Sequence, residues 1–218
     1  PEHHLDWPQP LDDVPAIVDA AGGMARALEP AAVAAHEAFL LTVPDLPGTA
    51  DDLLTGRFFP SVGARATALR VALGRPADAI VLVIRPYDEL FRAAWRSAAV
   101  EGRAPLFSDC TRRLSAFSVG WPEVAEALAE VLGTGDLTVM TSPASPGEIL
   151  ARLLPNFDQS EMVAVEPAPE ITGSAVAMIR RHLHQGGRFA PGQRERLIAF
   201  HARQPQDADA APGFPELA

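Results

Sequence analysis

The chain has 218 residues, a length that suits one domain with a substantial hydrophobic core. Its 28 acidic and 18 basic residues give a net charge of −10. Binding to nucleic acid or to an anionic membrane depends on a broad positive field, so we expect neither as a partner. All 18 bases are arginine, and therefore no Schiff-base, phosphate-loop or general-base lysine can come from these residues.

The number of cysteines and the first ten residues indicate the cellular compartment of the protein. Cys110 is the single cysteine, so an internal disulfide is excluded and a reducing compartment is expected. The first ten residues, PEHHLDWPQP, lack the charged start and apolar stretch of a signal peptide. No run approaches about 18 consecutive apolar residues, the length of a membrane span. No cysteine, histidine and aspartate spacing predicts a metal site. We expect a cytoplasmic protein without a metal.

Proline and glycine mark the helices in chain order. A proline at the first helical position and a glycine just past the end frame residues 60–74, 86–102 and 122–133. The spacing of Ser145 and Glu148 predicts a capping box, in which each side chain satisfies the other residue's backbone donor. Ser174 is the predicted cap of the next helix. The remaining predicted helices cover residues 14–28, 145–154, 175–185 and 191–203.

Short apolar runs between these helices predict strands at residues 38–43, 79–84 and 137–141, and a weaker one at 162–165. Continuous apolar strands that alternate with helices are typical of a parallel sheet covered on both faces. The expected fold is therefore α/β, with a three-layer, mostly parallel sheet that is incomplete at its N-terminus. Residues 1–204 would form one domain and 205–218 a flexible tail rich in proline and acids. An exposed sheet edge would favour a homo-oligomer.

The strongest local signal is the sequence IVLVIRPYDELFRAAW at residues 80–95. An apolar strand ends, Arg85 follows at once, and a helix begins at a proline. Ligands gather beyond the carboxyl ends of parallel strands, and a helix N-terminus favours anions. Arg85 would then contact a phosphate or sulfate group. The alternative is that Arg85 forms a structural ion pair with Asp88 or Glu89.

This segment resembles the 3′-phosphate motif of the sulfotransferase family, which reads strand, arginine, a turn with proline, and helix. Residues 37–75, with Leu46-Pro47-Gly48, are similar to bacterial sulfotransferase-like proteins, and the resemblance extends over residues 36–200. It implies a P-loop-like α/β fold that binds 3′-phosphoadenosine-5′-phosphosulfate and transfers its sulfuryl group to a hydroxyl or amine. Arg85 would hold the 3′-phosphate of this nucleotide.

The sequence departs from the family pattern at three points. The glycine-rich loop and lysine that hold the phosphosulfate have no counterpart in the chain. The motif serine is replaced by Ala93, and the nearest hydroxyl is that of Ser97. Asp45 precedes Leu46-Pro47 where one branch of the family has a histidine, and is the candidate catalytic base. The alternative is that Asp45, a turn residue between two prolines, caps the loop. The alternative functions are an inactive family member that acts as a binding or assembly module, and an unrelated α/β ligand-binding domain.

Overall fold

A computed structural model describes residues 14–34, 40–104, 106–156 and 169–204. This part of the chain is mostly helical. Its elements are, in order, α1 (Val14–Ala34), α2 (Ala50–Leu54), α3 (Val62–Leu73), β1 (Ile80–Ile84), α4 (Tyr87–Val100), α5 (Phe107–Leu114), α6 (Trp121–Leu132), β2 (Leu137–Thr141), α7 (Pro146–Leu153), α8 (Gly173–His184) and α9 (Gln193–Ala202). Among the described residues, no helix has the length and apolar character of a membrane span.

The contacts divide the chain into two compact units. The first unit comprises Pro1–Thr49, Phe58–Ile84 and Val119–Asn156. In it α3 packs against α1 and α6, and β1 pairs with β2 in a parallel two-stranded sheet. The register joins Ile80 to Leu137 and Ile84 to Thr141.

Aromatic and aliphatic side chains form the core of the first unit. The ring centroid of Trp121 lies 5.2 Å from that of Phe58 and 5.5 Å from that of Phe59. Along α6, Val124, Leu128 and Leu132 are also buried. Their four-residue spacing places them on one helix face, as expected for an amphipathic helix.

The second unit comprises Ala50–Arg57, Arg85–Ser118 and Phe157–Ala218. In this unit α4 contacts α2 and α8, and α8 also contacts α9. The buried residues of α4, α8 and α9 form one hydrophobic cluster, with Trp95 and Leu183 packed at its margin. Its members are Ala99, Val100, Ala175, Val176, Ile179 and Ile198. The α4–α8 packing determines the position of the candidate site described below.

The predicted three-layer α/β sheet is wrong. The described residues contain two paired strands, and helices account for most of the rest. Residues 40–43 have no strand structure; Leu40 is 46% exposed, and the amide of Leu46 donates to the carbonyl of Val43 in a turn. An apolar run becomes a strand only where a partner satisfies its backbone groups, and the prolines at 44 and 47 favour a turn here. Residues 38–39, the predicted strand at 162–165 and the predicted tail 205–218 lie outside the described residues.

All seven predicted helices are confirmed, with corrected ends. The capping box at α7 is present: Ser145 Oγ accepts from the Glu148 amide at 3.2 Å, and Glu148 Oε2 accepts from the Ser145 amide at 2.7 Å. Helix α8 is capped by Thr172, whose Oγ1 accepts from the Ala175 amide, and the predicted cap at Ser174 is wrong. Helices α2 and α5 were not predicted because they have 5 and 8 residues. So few residues show little of the 3.6-residue period.

Candidate functional site

Arg85, the predicted phosphate contact, follows β1 and is exposed. It belongs to the second unit and lines neither of the two cavities described below. Ser97 is half-buried in the last turn of α4. Arg85 precedes the first residue of α4 by two positions, and the predicted roles of Arg85 and Ser97 stay predictions.

Asp45, the predicted base, is an exposed turn residue of the first unit. Its backbone carbonyl accepts a hydrogen bond from Arg65 Nη1 at 2.6 Å, and Arg65 is completely buried. The structural contact of Asp45 is therefore made by its main chain, and its predicted catalytic role is not tested.

A cleft of about 420 Å³ lies within the second unit, where α4, α8 and the start of α5 meet. This volume is in the range of small-molecule sites. Its lining is mostly apolar but includes three arginines and a histidine. The lining residues are Arg92, Trp95, Arg96, Leu106, Phe107, Gly173, Val176, Ala177, Arg180 and His184.

Helical periodicity explains how these side chains converge. Arg92, Trp95 and Arg96 are at positions i, i+3 and i+4 of α4 and share one face. On α8, Arg180 and His184 are four residues apart and face the same cleft. The packing of α4 against α8 brings these two faces together, although the residues are about 90 positions apart in the sequence.

The arginines of α4 are held in defined positions by carboxylates. Arg92 Nη2 donates to Asp88 Oδ2 at 2.6 Å within α4. Arg96 Nη1 donates to Glu170 Oε1 at 3.0 Å. The side chain of Arg96 is only 18% exposed, whereas that of Glu170 is 81% exposed. The guanidinium of Arg96 is therefore partly buried, and its carboxylate partner is largely in solvent.

Aromatic rings form the apolar part of the cleft. The ring centroid of Trp95 lies 5.1 Å from that of Phe107, with the planes nearly perpendicular at 79°. The Arg180 Cζ atom lies 5.6 Å from the Trp95 centroid, within the range of a cation–π interaction. Leu106, at the N-cap of α5, is 60% exposed. The cleft therefore offers an exposed aliphatic side chain and an aromatic face beside positive charge.

A smaller cavity of about 250 Å³ adjoins this cleft in the second unit. Its lining residues are Ala99, Gly102, Ala104, Arg180, Leu183 and His184. Arg180 and His184 line both cavities. The lining of the smaller cavity is otherwise small or aliphatic.

Two other side chains that could be reactive, those of Cys110 and His201, have structural roles. Cys110 is buried, and burial raises the pKa of its thiol. A raised pKa reduces the thiolate fraction and with it the reactivity of the side chain. His201 Nδ1 lies 3.0 Å from Ser174 Oγ and joins α9 to the first turn of α8. Neither residue lines the cleft, and no group of three or more potential metal ligands occurs in the described ranges.

Sequence reasoning missed the residues of the cleft. The i, i+3, i+4 spacing of Arg92, Trp95 and Arg96 was visible in the same helix that carries the Arg85 motif. The spacing of these residues could have indicated a common helix face, but it contains no information about which second helix would cover that face.

Comparisons with known proteins do not identify a family. No protein-family model matches the chain, and no curated protein and no solved structure is significantly similar to it. The sulfotransferase resemblance therefore gains no support from these comparisons.

Proposed function

We propose that this protein is a binding protein for a small anion with an apolar part, and that the ligand occupies the cleft between α4, α5 and α8. The observation that carries the proposal is the convergence of Arg92, Arg96 and Arg180 on a mostly apolar cleft. This concentration of bases occurs in a chain with a net charge of −10. A ligand that combines an apolar body with a negative group would complement both parts of the lining.

The chemistry of arginine favours a carboxylate, sulfonate or phosphate over a halide or a neutral polar group. A guanidinium presents parallel N–H donors that match two oxygens of one anionic group. The partial burial of Arg96 strengthens such a bond, because less water competes for the donors. The exposed apolar surface of Leu106 and the Trp95 ring would be covered by the ligand's body.

The composition of the lining favours binding over catalysis. Among the described residues that line the cleft there is no serine, threonine, cysteine or carboxylate, and the histidine has no nucleophile beside it in that lining. A covalent mechanism needs a nucleophile and a base within hydrogen-bonding reach. A binding or assembly module was one of the alternatives left open by the sequence.

The test is calorimetric titration with 1-naphthoate, an apolar monoanion, and with 1-naphthalenemethanol, its neutral counterpart. We expect 1-naphthoate to bind and the alcohol to bind at least about tenfold more weakly, because the alcohol cannot form a charge-assisted bond with arginine. Ala177→Leu places a larger side chain in the cleft at an exposed position of α8 and should weaken naphthoate binding. Equal affinities for acid and alcohol, or an unaffected Ala177→Leu variant, would reject the proposal.

The transferase prediction is tested in the same instrument with 3′,5′-adenosine bisphosphate. If Arg85 holds the 3′-phosphate, Arg85→Ala should weaken nucleotide binding and leave 1-naphthoate binding unchanged. The two sites are thereby separated, since Arg85 does not line the cleft. Nucleotide binding that is absent, or insensitive to Arg85→Ala, would exclude Arg85 as the phosphate contact.

A further inference from the structure

We propose that Glu170 competes with the ligand for Arg96, and that the anionic group of the ligand displaces the Glu170 carboxylate when it binds. This inference rests on the proposed function and identifies one arginine that contacts the anion. Two ion pairs at the cleft carry it. Arg92 and Arg96 both line the cleft and each bonds to a carboxylate, but the two carboxylates are held very differently.

The carboxylate that bonds to Arg92 is fixed within α4. Asp88 precedes Arg92 by four residues on the same helix, a spacing at which side chains meet. Arg92 donates twice to Asp88, from Nη2 to the carboxylate at 2.6 Å and from Nε to the backbone carbonyl at 3.2 Å. Asp88 also lies in the first turn of α4, where the helix dipole favours a negative charge. This pair is therefore local to the helix and hard for an incoming anion to separate.

The carboxylate that bonds to Arg96 is held less firmly. Glu170 lies 74 positions further along the chain, outside any helix or strand and two residues before Thr172, the N-cap of α8. Its Oε1 accepts from Arg96 Nη1 at 3.0 Å, and its side chain is 81% exposed. Exposed ion pairs contribute little to stability, because water solvates the separated charges nearly as well. Glu170 can therefore turn into solvent at small cost and without unwinding α8.

Arg96 depends on a partner more than Glu170 does. Its side chain is only 18% exposed, so water reaches the guanidinium poorly. A partly buried charge is stable when a counter-charge with good hydrogen bonds lies beside it. Glu170 supplies one, and an anion in the cleft, which Arg96 also lines, would supply another. The exchange keeps the guanidinium paired, while the Glu170 carboxylate regains its hydration.

This competition sets a condition on the ligand. Its anionic group has to bond to Arg96 better than Glu170 does, and a group with two oxygens in one plane can do so by accepting two parallel N–H donors of the guanidinium. A neutral ligand offers no counter-charge and leaves the pair of Arg96 and Glu170 intact. Glu170 therefore favours anions with paired oxygens and lowers the affinity for each of them by a similar factor.

The experiment measures 1-naphthoate binding by calorimetry on the whole chain and on its Glu170→Gln variant. Glutamine keeps the size of the side chain and removes its charge. We expect the variant to bind about two- to fivefold more tightly, which corresponds to the loss of one exposed ion pair. The matched control, Glu195→Gln, removes the same charge from an exposed position in the first turn of α9. Glu195 belongs to the same unit and lines neither cavity, so the control should bind like the wild type.

A double-mutant cycle shows whether the effect passes through Arg96. Arg96→Met removes the guanidinium and keeps a long apolar side chain. This variant should bind 1-naphthoate about tenfold more weakly, because a charge-assisted hydrogen bond is lost. Adding Glu170→Gln to Arg96→Met should then leave the affinity unchanged, since no competing ion pair remains. A gain from Glu170→Gln that persists without Arg96 would reflect the general field of the protein and would refute the exchange.

Binding by Glu170→Gln that is equal to or weaker than that of the wild type would overturn the inference, whether or not Arg96→Met folds. If the wild type binds 1-naphthoate in that case, the proposed function stands and only the exchange at Arg96 fails. If neither the wild type nor Glu170→Gln binds 1-naphthoate, the proposed function fails as well.

Discussion

Replacing Arg180 by methionine should abolish most anion binding and leave the fold intact. Arg180 lines both cavities, and its Cζ atom lies 5.6 Å from the Trp95 centroid. Methionine retains a long apolar side chain and a high helix propensity but removes the charge. A hydrogen bond to a charged group contributes about 1.5–3 kcal/mol, which corresponds to about 10–100-fold in Kd. The lost cation–π contact would lower stability by about 0.5–1 kcal/mol.

The assay is calorimetry with 1-naphthoate, with urea unfolding of each variant as the check on folding. The matched control is Arg112→Met, which removes the same charge from the same unit. Arg112 is exposed in the last turn of α5 and lines neither cavity. The control should bind like the wild type. Equal losses in the two variants would show that only net charge matters, and a full-affinity Arg180→Met variant would refute the role of Arg180.

Three further predictions concern stability and reactivity. Ile179→Ala removes a completely buried side chain of the second unit's core and should lower the free energy of unfolding by about 2–5 kcal/mol in urea. The neighbouring Met178→Ala, at a residue that is 48% exposed, should change it by about 0.5 kcal/mol or less. At α7, hydrogen bonds from the backbone and side chain of Ser145 lower the pKa of Glu148. The unfolded chain therefore binds a proton more readily, so this contribution is complete above the ordinary pKa of about 4.3 and is lost as the pH falls through the lowered folded pKa. The stability difference between the wild type and Glu148→Gln should shrink in that acidic range, and a constant difference would contradict the assignment. Burial raises the pKa of the Cys110 thiol. Iodoacetamide should therefore modify the native chain much more slowly than the urea-unfolded chain, as followed by mass spectrometry, and equal rates would refute the burial argument.

Local signals in the sequence predicted local structure well. Both runs that form β1 and β2 were identified, and Gly74 and Gly133 end α3 and α6 with φ values of 67° and 68°. These features depend on residues within one turn of each other. A left-handed backbone favours glycine, and a capping box needs two side chains three residues apart. These local requirements do not depend on any tertiary contact.

Sheet size and the candidate site depended on contacts between distant residues. The run that includes residues 40–43 has the composition of a strand, yet it pairs with none of the described residues there and contains an exposed Leu40. The periodicity of apolar residues shows which residues share one face of a helix or strand. It does not show which other element packs against that face. The three-layer sheet was inferred from runs of apolar residues, and the pairing of those runs was assumed.

The helices framed by proline and glycine, the two strands, and the absence of lysine and of an internal disulfide could all be established from the order of the amino acids. The helical spacing of Arg92, Trp95 and Arg96 places them on one face of α4, although this face was not identified from the sequence. The packing of this face beside Arg180 and His184 of α8, which forms the cleft, is seen only in the folded chain. Helix propensity and capping act over a few neighbouring residues, whereas a binding site depends on which apolar surfaces bury one another across the chain.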